Sequence, residues 1–364
     1  MKVFSRVNCL FLTLAITAIV QAQNDNTDEP MLSTLASDEY IQFFRTAAIF
    51  IENENVWRIP IHGWVYEPQS SYFRKALFSQ AIKTKYGLKV AEQNKHIYDR
   101  RLNLLIADNE RNKIITIQLA GENYTLPKSA PNGHFSTELT VANDVIAKHR
   151  RGNIVDFNTS LEDGRQFSGQ VQLLSEEGLS VISDIDDTIK VSQVLDHQAL
   201  IDNTFLKEFT AVAGMSDAYQ QLVNKDNQLS FHYVSSSPWQ LYAPLEEFVD
   251  QENFPRATFS LRAIRFRDTT LFDLFKAGTE TKPLQIESIL NQFPRRRFLL
   301  IGDSGEQDPE VYSAIAAQFP ERIVHIFIRN ISNETIENAR FSALVADPAQ
   351  WTLFNDPIEI DFPN

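Results

Sequence analysis

Two patterns of apolar and polar positions divide the chain. Before about Ser175 the pattern is alternation. The stretches VWRIPIHGWVYEP, KIITIQLAGENYTL and QFSGQVQLL read as strands, because successive strand side chains face opposite sides of a sheet. SAPNGHFSTELTV carries an Asn-Gly pair, the dipeptide favoured in tight hairpins. SSYFRKALFSQAIKTKYGL reads as helix. Residues 37–175 are therefore expected to form a mostly-β accessory domain.

From Leu179 onward, short apolar runs alternate with helical segments. LSVISD, LSFHYVS, RFLLIGD and IVHIFIR read as strands. A helix is expected after Gly214, and KPLQIESILNQF and DPEVYSAIAAQF each read as one. SPWQLYAPLEEFV is expected to start a helix, with Ser237 as cap, Pro238 in its first position and Gln240 closing a capping box. Strand–helix alternation implies an α/β domain with a parallel sheet, placed at residues 176–335. Residues 336–364 read as a C-terminal extension. Ligands of such sheets bind where the strands end.

The first residues change the picture of where the protein works. Lys2 and Arg6 precede an apolar run from Cys9 to Val20, and Val20-Gln21-Ala22 offers a cleavage site. Residues 1–22 are expected to be a signal peptide of an exported, periplasmic or secreted protein. QNDNTDEP opens a stretch, 23–36, expected to be disordered. Cleavage would remove two basic residues and no acid, taking the net charge from −13 to −15, together with the single cysteine, Cys9. The acidic balance argues against a nucleic-acid partner. No later segment is apolar and long enough to span a bilayer.

SDIDDTIK places three aspartates and a threonine within six positions at the end of a buried strand. Carboxylates this close disfavour each other's ionisation, and a divalent cation is the usual compensation. Asp184 and Asp303 end two strands, and such a pair makes a hard oxygen site suited to Mg²⁺. Asp186 can point the same way, while Ser235 and Lys282 offer donors to an anion. A metal, a carboxylate nucleophile, an acid/base carboxylate and phosphate-binding donors together describe phosphoryl transfer.

The order of these residues resembles the haloacid dehalogenase superfamily of aspartate-nucleophile phosphatases. Asp184, Asp186 and Thr188 match its Asp-x-Asp-x-Thr motif, Ser235 and Lys282 its second and third motifs, and Asp303 with Asp308 its acidic fourth. SDIDDTIK, YVSSSPWQLY and FLLIGDSGEQD look like the phosphatidate phosphatase catalytic-domain family over about Leu179 to Asn330.

That resemblance implies a haloacid dehalogenase-like fold in which Asp184 attacks phosphorus to form an aspartyl phosphate. Asp186 would act as acid and base, with Ser235 and Lys282 holding the phosphoryl group. Mg²⁺ would rest on Asp184, Asp303 and the Asp186 carbonyl, with Asp308 acting through water or by orienting Lys282. Only 50 residues separate Asp184 from Ser235 and 46 separate Ser235 from Lys282, which leaves no room for a large cap. The expected function is hydrolysis of phosphatidate to diacylglycerol at a membrane interface. A phosphatase for a soluble or protein-bound phosphomonoester, or a non-catalytic phosphate-binding module, remains as an alternative.

Several residues have ordinary readings. Lys190 and Lys276 rival Lys282, Asp308 could cap a helix, and Ser236 and Ser237 read as helix caps. Trp239 and Tyr242 read as core, and Asp187 is expected to face away from the site. Arg262 could touch a head-group phosphate or form a surface pair. The seven histidines lack metal-ligand spacing, and four glycosylation sequons begin at Asn123, Asn158, Asn330 and Asn333.

Overall fold

The computed structural model describes residues 33–69, 71–226, 228–263 and 281–362. The expected signal peptide, Met1 to Ala22, and the rival lysine Lys276 lie outside them. The N-terminal unit is built on β1 (Tyr40–Phe43), β2 (Thr46–Ile51), β3 (Val56–Glu67), β4 (Asp108–Asn109), β5 (Thr116–Leu119), β6 (Glu122–Thr125), β7 (His134–Ala142), β8 (Ile154–Ser160) and β9 (Gln166–Leu174). These form one mixed sheet in the order β1-β3-β2-β9-β8-β5-β6, with β4 and β7 also pairing β3.

Two readings of this unit change. KIITIQLAGENYTL contains two strands, because Ala120 and Gly121 both take positive φ (52° and 87°), the backbone of a two-residue hairpin turn. The Asn132-Gly133 turn is present, with Gly133 at φ 76°. The strand after it, however, runs antiparallel to β3 from Trp64↔His134 to Val56↔Ala142. The turn therefore feeds a long-range pairing and not a local hairpin.

Three helices join this sheet: α1 (Tyr72–Tyr86), α2 (Lys95–Leu105) and α3 (Asn143–His149). Helix α1 is capped by the Ser71 side chain and ended by Gly87 in the left-handed region (φ 64°), where a Cβ would be strained. Ser33 lies within the stretch expected to be disordered, yet its hydroxyl is buried between Thr116 and Thr159. The end of that stretch is thus tied to the sheet.

The second sheet contains β10 (Glu177–Asp184), β11 (Ser230–Pro238), β12 (Ala257–Arg262), β13 (Arg295–Asp303), β14 (Ile323–Arg329) and β15 (Trp351–Phe354). Its order is β12-β11-β10-β13-β14-β15, and every pairing is parallel. Strand β15 lies in the stretch read as an extension, so the sheet continues beyond residue 335. The inner strands are apolar at consecutive positions because both faces are covered. Tyr219 of α5 (Met215–Lys225) and Leu245 of α6 (Tyr242–Gln251) pack with Val181 and Leu299 on one face. Ile286 of α7 (Thr281–Gln292) and Tyr312 of α8 (Asp308–Gln318) pack with Ile182 and Leu300 on the other.

The two sheets share their cores. Phe44 and Trp64 belong to one apolar cluster of the parallel sheet, and Ala47 and Ile49 to the other. Tyr242 accepts a hydrogen bond from the Arg45 backbone (3.0 Å), and Arg45 pairs with Glu246 (2.8 Å). A further cluster joins Ile82 of α1 and Leu102 of α2 to Ile201 and Phe205 of α4 (His197–Phe205). Trp239 and Tyr242 are accordingly packing residues: the Phe44 ring lies 4.3 Å and 4.8 Å from theirs.

Candidate active site

The carboxyl edge of the parallel sheet collects the acidic residues. β10 ends on Asp184 and its neighbour β13 ends on Asp303. On the other side, Val234 of β11 stands beside Asp184, so Ser235 falls one step beyond. Lys282 is the second residue of α7, and Asp308 is the first of α8. Asp184, Ser235, Lys282, Asp303 and Asp308 are all buried.

Lys282 holds this group together. Its Nζ lies 2.7 Å from Asp184 Oδ1 and also donates to Asp308 Oδ1. The other Asp308 oxygen accepts the Asp303 backbone N–H at 3.2 Å, and Asp303 Oδ1 accepts the Gly305 N–H at 2.7 Å. One oxygen from each of Asp184, Asp303 and Asp308 lies within 4.8 Å of the others. Asp184 Oδ2 and Asp303 Oδ2 are buried with no hydrogen-bond partner.

Burial pushes the Asp184 and Asp303 carboxyls well above the usual carboxylate range, with the neighbouring acids adding to it and Lys282 opposing it. Burial works against the Lys282 ammonium, but the charges of Asp184 and Asp308 keep it protonated, well above the ordinary lysine value. With all three carboxylates ionised, one lysine leaves two negative charges uncompensated. Buried charge of that kind needs a partner. The donor set, all carboxylate oxygen with two oxygens orphaned, fits one hard divalent cation.

The loop after Asp184 sorts the remaining acids. Asp186 accepts from Ser235 Oγ (3.0 Å) and Ser192 Oγ (2.7 Å), and pairs with Lys190 Nζ (2.7 Å). Burial raises its carboxyl, yet Lys190 and these hydrogen bonds outweigh that and hold it below the ordinary aspartate value. Its carboxylate is engaged by Ser235, Ser192 and Lys190, and the group that could share one ion is formed by Asp184, Asp303 and Asp308.

Asp187 has positive φ (52°), a conformation aspartate tolerates better than most residues. Its carboxylate accepts the N–H groups of Ser192 (2.9 Å), Gln193 (2.9 Å) and Val194 (2.6 Å). It faces the loop, as expected.

Other expectations change. Ser237 caps no helix, because β11 runs through Pro238 and a 3₁₀ turn, Trp239–Leu241, precedes α6. Ser235 Oγ instead accepts the Ser237 N–H at 3.0 Å. Asp308 is not a helix cap, since Gln307 holds that position and the Asp308 carboxylate is turned on Lys282 and Asp303. Lys190 is buried against Asp186 and the Phe209 ring (4.9 Å), so it serves a different acid from Lys282.

Sequence reasoning passed over Glu306. This residue lies 4.0 Å from Lys282 Nζ, and burial raises its carboxyl. Its place between Asp303 and Asp308 in GDSGEQD was the available signal. A cavity opens beside Asp186 and Glu306, and Leu105, Leu200, Phe205 and Leu241 form its apolar wall.

The fold and site define a parallel α/β domain with a lysine-bridged acidic cluster at its ligand-binding edge. Residues 179–330 match the family model described as phosphatidate phosphatase APP1, catalytic domain.

Among curated relatives, the chain is 34% identical over 163 residues to phosphatidate phosphatase APP1 of Saccharomyces cerevisiae, covering 44% of this chain and 27% of that protein. It is 32% identical over 173 residues to an uncharacterised Schizosaccharomyces pombe protein, covering 47% of this chain and 28% of that one. The chain thus spans little more than a quarter of the length of either relative. A 2,6-sialyltransferase from Photobacterium sp. JT-ISH-224 overlays at a TM-score of 0.22 with 11% identity, over 80% of this chain and 40% of that one, too loosely to bear on the fold.

Proposed function

We propose that the protein is a Mg²⁺-dependent phosphatidate phosphatase, releasing phosphate and diacylglycerol, with a haloacid dehalogenase-like catalytic domain lacking a large cap. The carrying observation is the buried Asp184–Asp303–Asp308 triad with two orphaned oxygens beside Lys282, inside the segment that matches the phosphatase family. The apolar wall of the adjoining cavity favours a lipid over a small polar phosphomonoester.

Asp184 and Asp303, with Asp308 close by and the Asp186 backbone carbonyl on the same loop, would hold the ion. Bound there, it would neutralise the acids and draw negative charge from the phosphoryl oxygens. In this reading Asp184 is the nucleophile, Lys282 keeps it oriented, and Lys282 with the bound ion would offset the burial that disfavours its ionised form. Asp186, lining the cavity and held by Ser235, Ser192 and Lys190, protonates the leaving oxygen once substrate binding has loosened the Lys190 pair and let it take up a proton, and then, ionised again, accepts one from the attacking water. Lys282 donates its remaining N–H, and Ser235 its hydroxyl once it turns from Asp186, to the phosphoryl oxygens as charge develops, so the rate gain is positioning and electrostatics. We also propose export, with Met1 to Ala22 removed; mass spectrometry of the host's own protein should then find Gln23 first.

The test is initial phosphate release from long-chain phosphatidate in mixed micelles, a short-chain soluble analogue and glycerol 3-phosphate. Phosphatidate should give the highest kcat/KM. Asp184→Asn should lose at least ~10³-fold, the scale for removing a covalent nucleophile, and a chelator should abolish activity. Preference for glycerol 3-phosphate would replace the lipid reading with a general phosphomonoesterase.

A further inference from the structure

Few large apolar side chains are exposed among the described residues, and their distribution is uneven. Tyr72, Phe73 and Leu77 are 86%, 76% and 61% exposed, and all belong to the first half of α1. Phe73 and Leu77 are one turn apart and share a face. The opposite face of the same helix is anchored: Ile82 and Tyr86 are buried against α2 and α4. The helix is therefore fixed with an apolar end held out in water.

The charge along the helix is also unusual, with Arg74 and Lys75 at the exposed end, Lys83 and Lys85 in the last turn and Lys89 just beyond it. Between Pro68 and Ala91 the chain carries Arg74, Lys75, Lys83, Lys85 and Lys89 and no acid, in a protein of net charge −13. Arg74 is paired with Asp108 at 3.0 Å, which reduces the excess without reversing it. Along its whole length α1 segregates apolar from polar residues only weakly, but its exposed first half sets aromatic and leucine side chains beside cations, a combination that helices lying in a lipid–water interface also use. Anionic lipid is complementary to the run, and each cation near such a surface adds attraction.

The location connects this helix to the site. Arg74 grips Asp108, three residues beyond Leu105, and Leu105 lines the cavity next to Asp186. Of the other exposed apolar residues, Leu195 (62%), after Val194 of the Asp187-clamped loop, and Leu284 (65%), two residues after Lys282, lie in segments that carry site residues, whereas Tyr40 and Ile358 lie elsewhere.

We propose that the Tyr72–Leu77 end of α1 docks the protein on an anionic phospholipid bilayer, with Phe73 and Leu77 entering the headgroup–acyl boundary. The inference extends the phosphatidate reading by naming the surface that meets the membrane. Binding and catalysis are separable, so each can fail alone.

The experiment is co-sedimentation of the full chain with vesicles of phosphatidylcholine, alone or with phosphatidylserine, without phosphatidate. The wild type should bind the anionic vesicles, more weakly as salt screens the charges. The Phe73→Ser/Leu77→Ser variant should lose roughly tenfold or more of that partitioning, because two large apolar side chains no longer leave water. Lys75→Glu/Lys89→Glu should lose the preference for phosphatidylserine. Both variants should keep wild-type activity on a soluble aryl phosphate, which reports an intact fold and site.

Absent wild-type binding, or unchanged binding by the Phe73→Ser/Leu77→Ser variant, would overturn the docking surface while leaving phosphatase activity to its own assay. A wild-type dimer that this variant turns into a monomer would overturn it too, by assigning the face to a second copy. Vesicle binding without phosphatidate hydrolysis would leave the surface standing and sink the enzymatic reading.

Discussion

Lys282 and Asp184 form a buried ion pair at 2.7 Å, between the first turn of a helix and the end of a strand. The lysine also meets Asp308, so it is the one cation in direct contact with the buried triad among the described residues. Removing it leaves two acids facing each other without compensation. Lys282→Met should lower stability by about 3–5 kcal/mol, the range for breaking a buried pair from one side. Added Mg²⁺ should restore part of this loss and none of it when Asp184→Asn is introduced as well. Thermal melts of wild type, Lys282→Met and the double variant with and without the ion decide the matter; a Lys282→Met melt equal to wild type in chelator would contradict the pairing.

Asp187 should matter for folding and not for chemistry. Its carboxylate serves three backbone N–H groups at Ser192, Gln193 and Val194, and its carbonyl accepts from Arg329 at 2.7 Å. Asp187→Ala should cost about 3 kcal/mol or more, since hydrogen bonds to a charged group contribute about 1.5–3 each. Asp187→Asn keeps one acceptor oxygen and should cost less. Urea denaturation of the pair checks the ranking. Equal destabilisation by the two would mean that the side chain does not hold the loop.

Much of this site could be read from the chain because it follows from strand ends. Asp184, Ser235 and Asp303 each close an apolar run, and a parallel sheet brings such ends to one edge. Division of labour among the cations was not legible. Lys190 and Lys282 are both plausible by type, and only the fold shows that one meets Asp186 and the other Asp184.

Ser237 and Pro238 were misread for a related reason. SSSP satisfies a helix-start pattern, but β11 continues through it because Pro238 still pairs with Arg262 on β12. In the N-terminal unit, local alternation identified β3 and β9. It could not announce that β7 would pair with β3 or that α1 would pack on α4, since both are contacts across many residues of chain.

Gly302 is a further test of how tightly the triad is built. A Cβ at this position would lie 2.3 Å from Asp308 Oδ2 and 2.8 Å from its Cγ. No flexible chain end is available to yield, because Asp308 is bound to Lys282 and to the Asp303 N–H. Gly302→Ala should displace the Asp308 carboxylate and with it the Lys282 head. The expected cost is about 1–3 kcal/mol in stability, as for overpacking elsewhere, together with a rise in the Mg²⁺ concentration needed for half-maximal activity. An alanine variant with an unchanged Mg²⁺ requirement and melting point would show that the carboxylate has more room than this contact allows.

His232 should give the protein part of its sensitivity to acid. It is 1% exposed on β11, with the Phe293 ring 5.3 Å away and Thr258 Oγ1 2.8 Å from its Nδ1. Burial, reinforced by the charge of Arg296, pushes its pKa down to about 3. An unfolded chain takes up the proton near 6.5, while the folded one refuses it until about pH 3. Between those values the unfolded state binds more protons, so stability rises with pH across the window. The contribution is therefore complete above about pH 6.5 and is lost as pH falls, at about 1.4 kcal/mol per pH unit for one group. His62 and His134, lowered by burial to about 3 and about 4, act in the same direction. His232→Gln removes one of these titrating groups without adding a charge. Its urea midpoint at neutral pH should fall, because the packing is imperfect. The slope of stability against pH between about pH 6.5 and 4.5 should become shallower by as much as one proton's worth. A variant that is less stable but parallel to wild type across that window would mean that His232 is protonated alike in both states, and the acid sensitivity would then rest on the other buried groups.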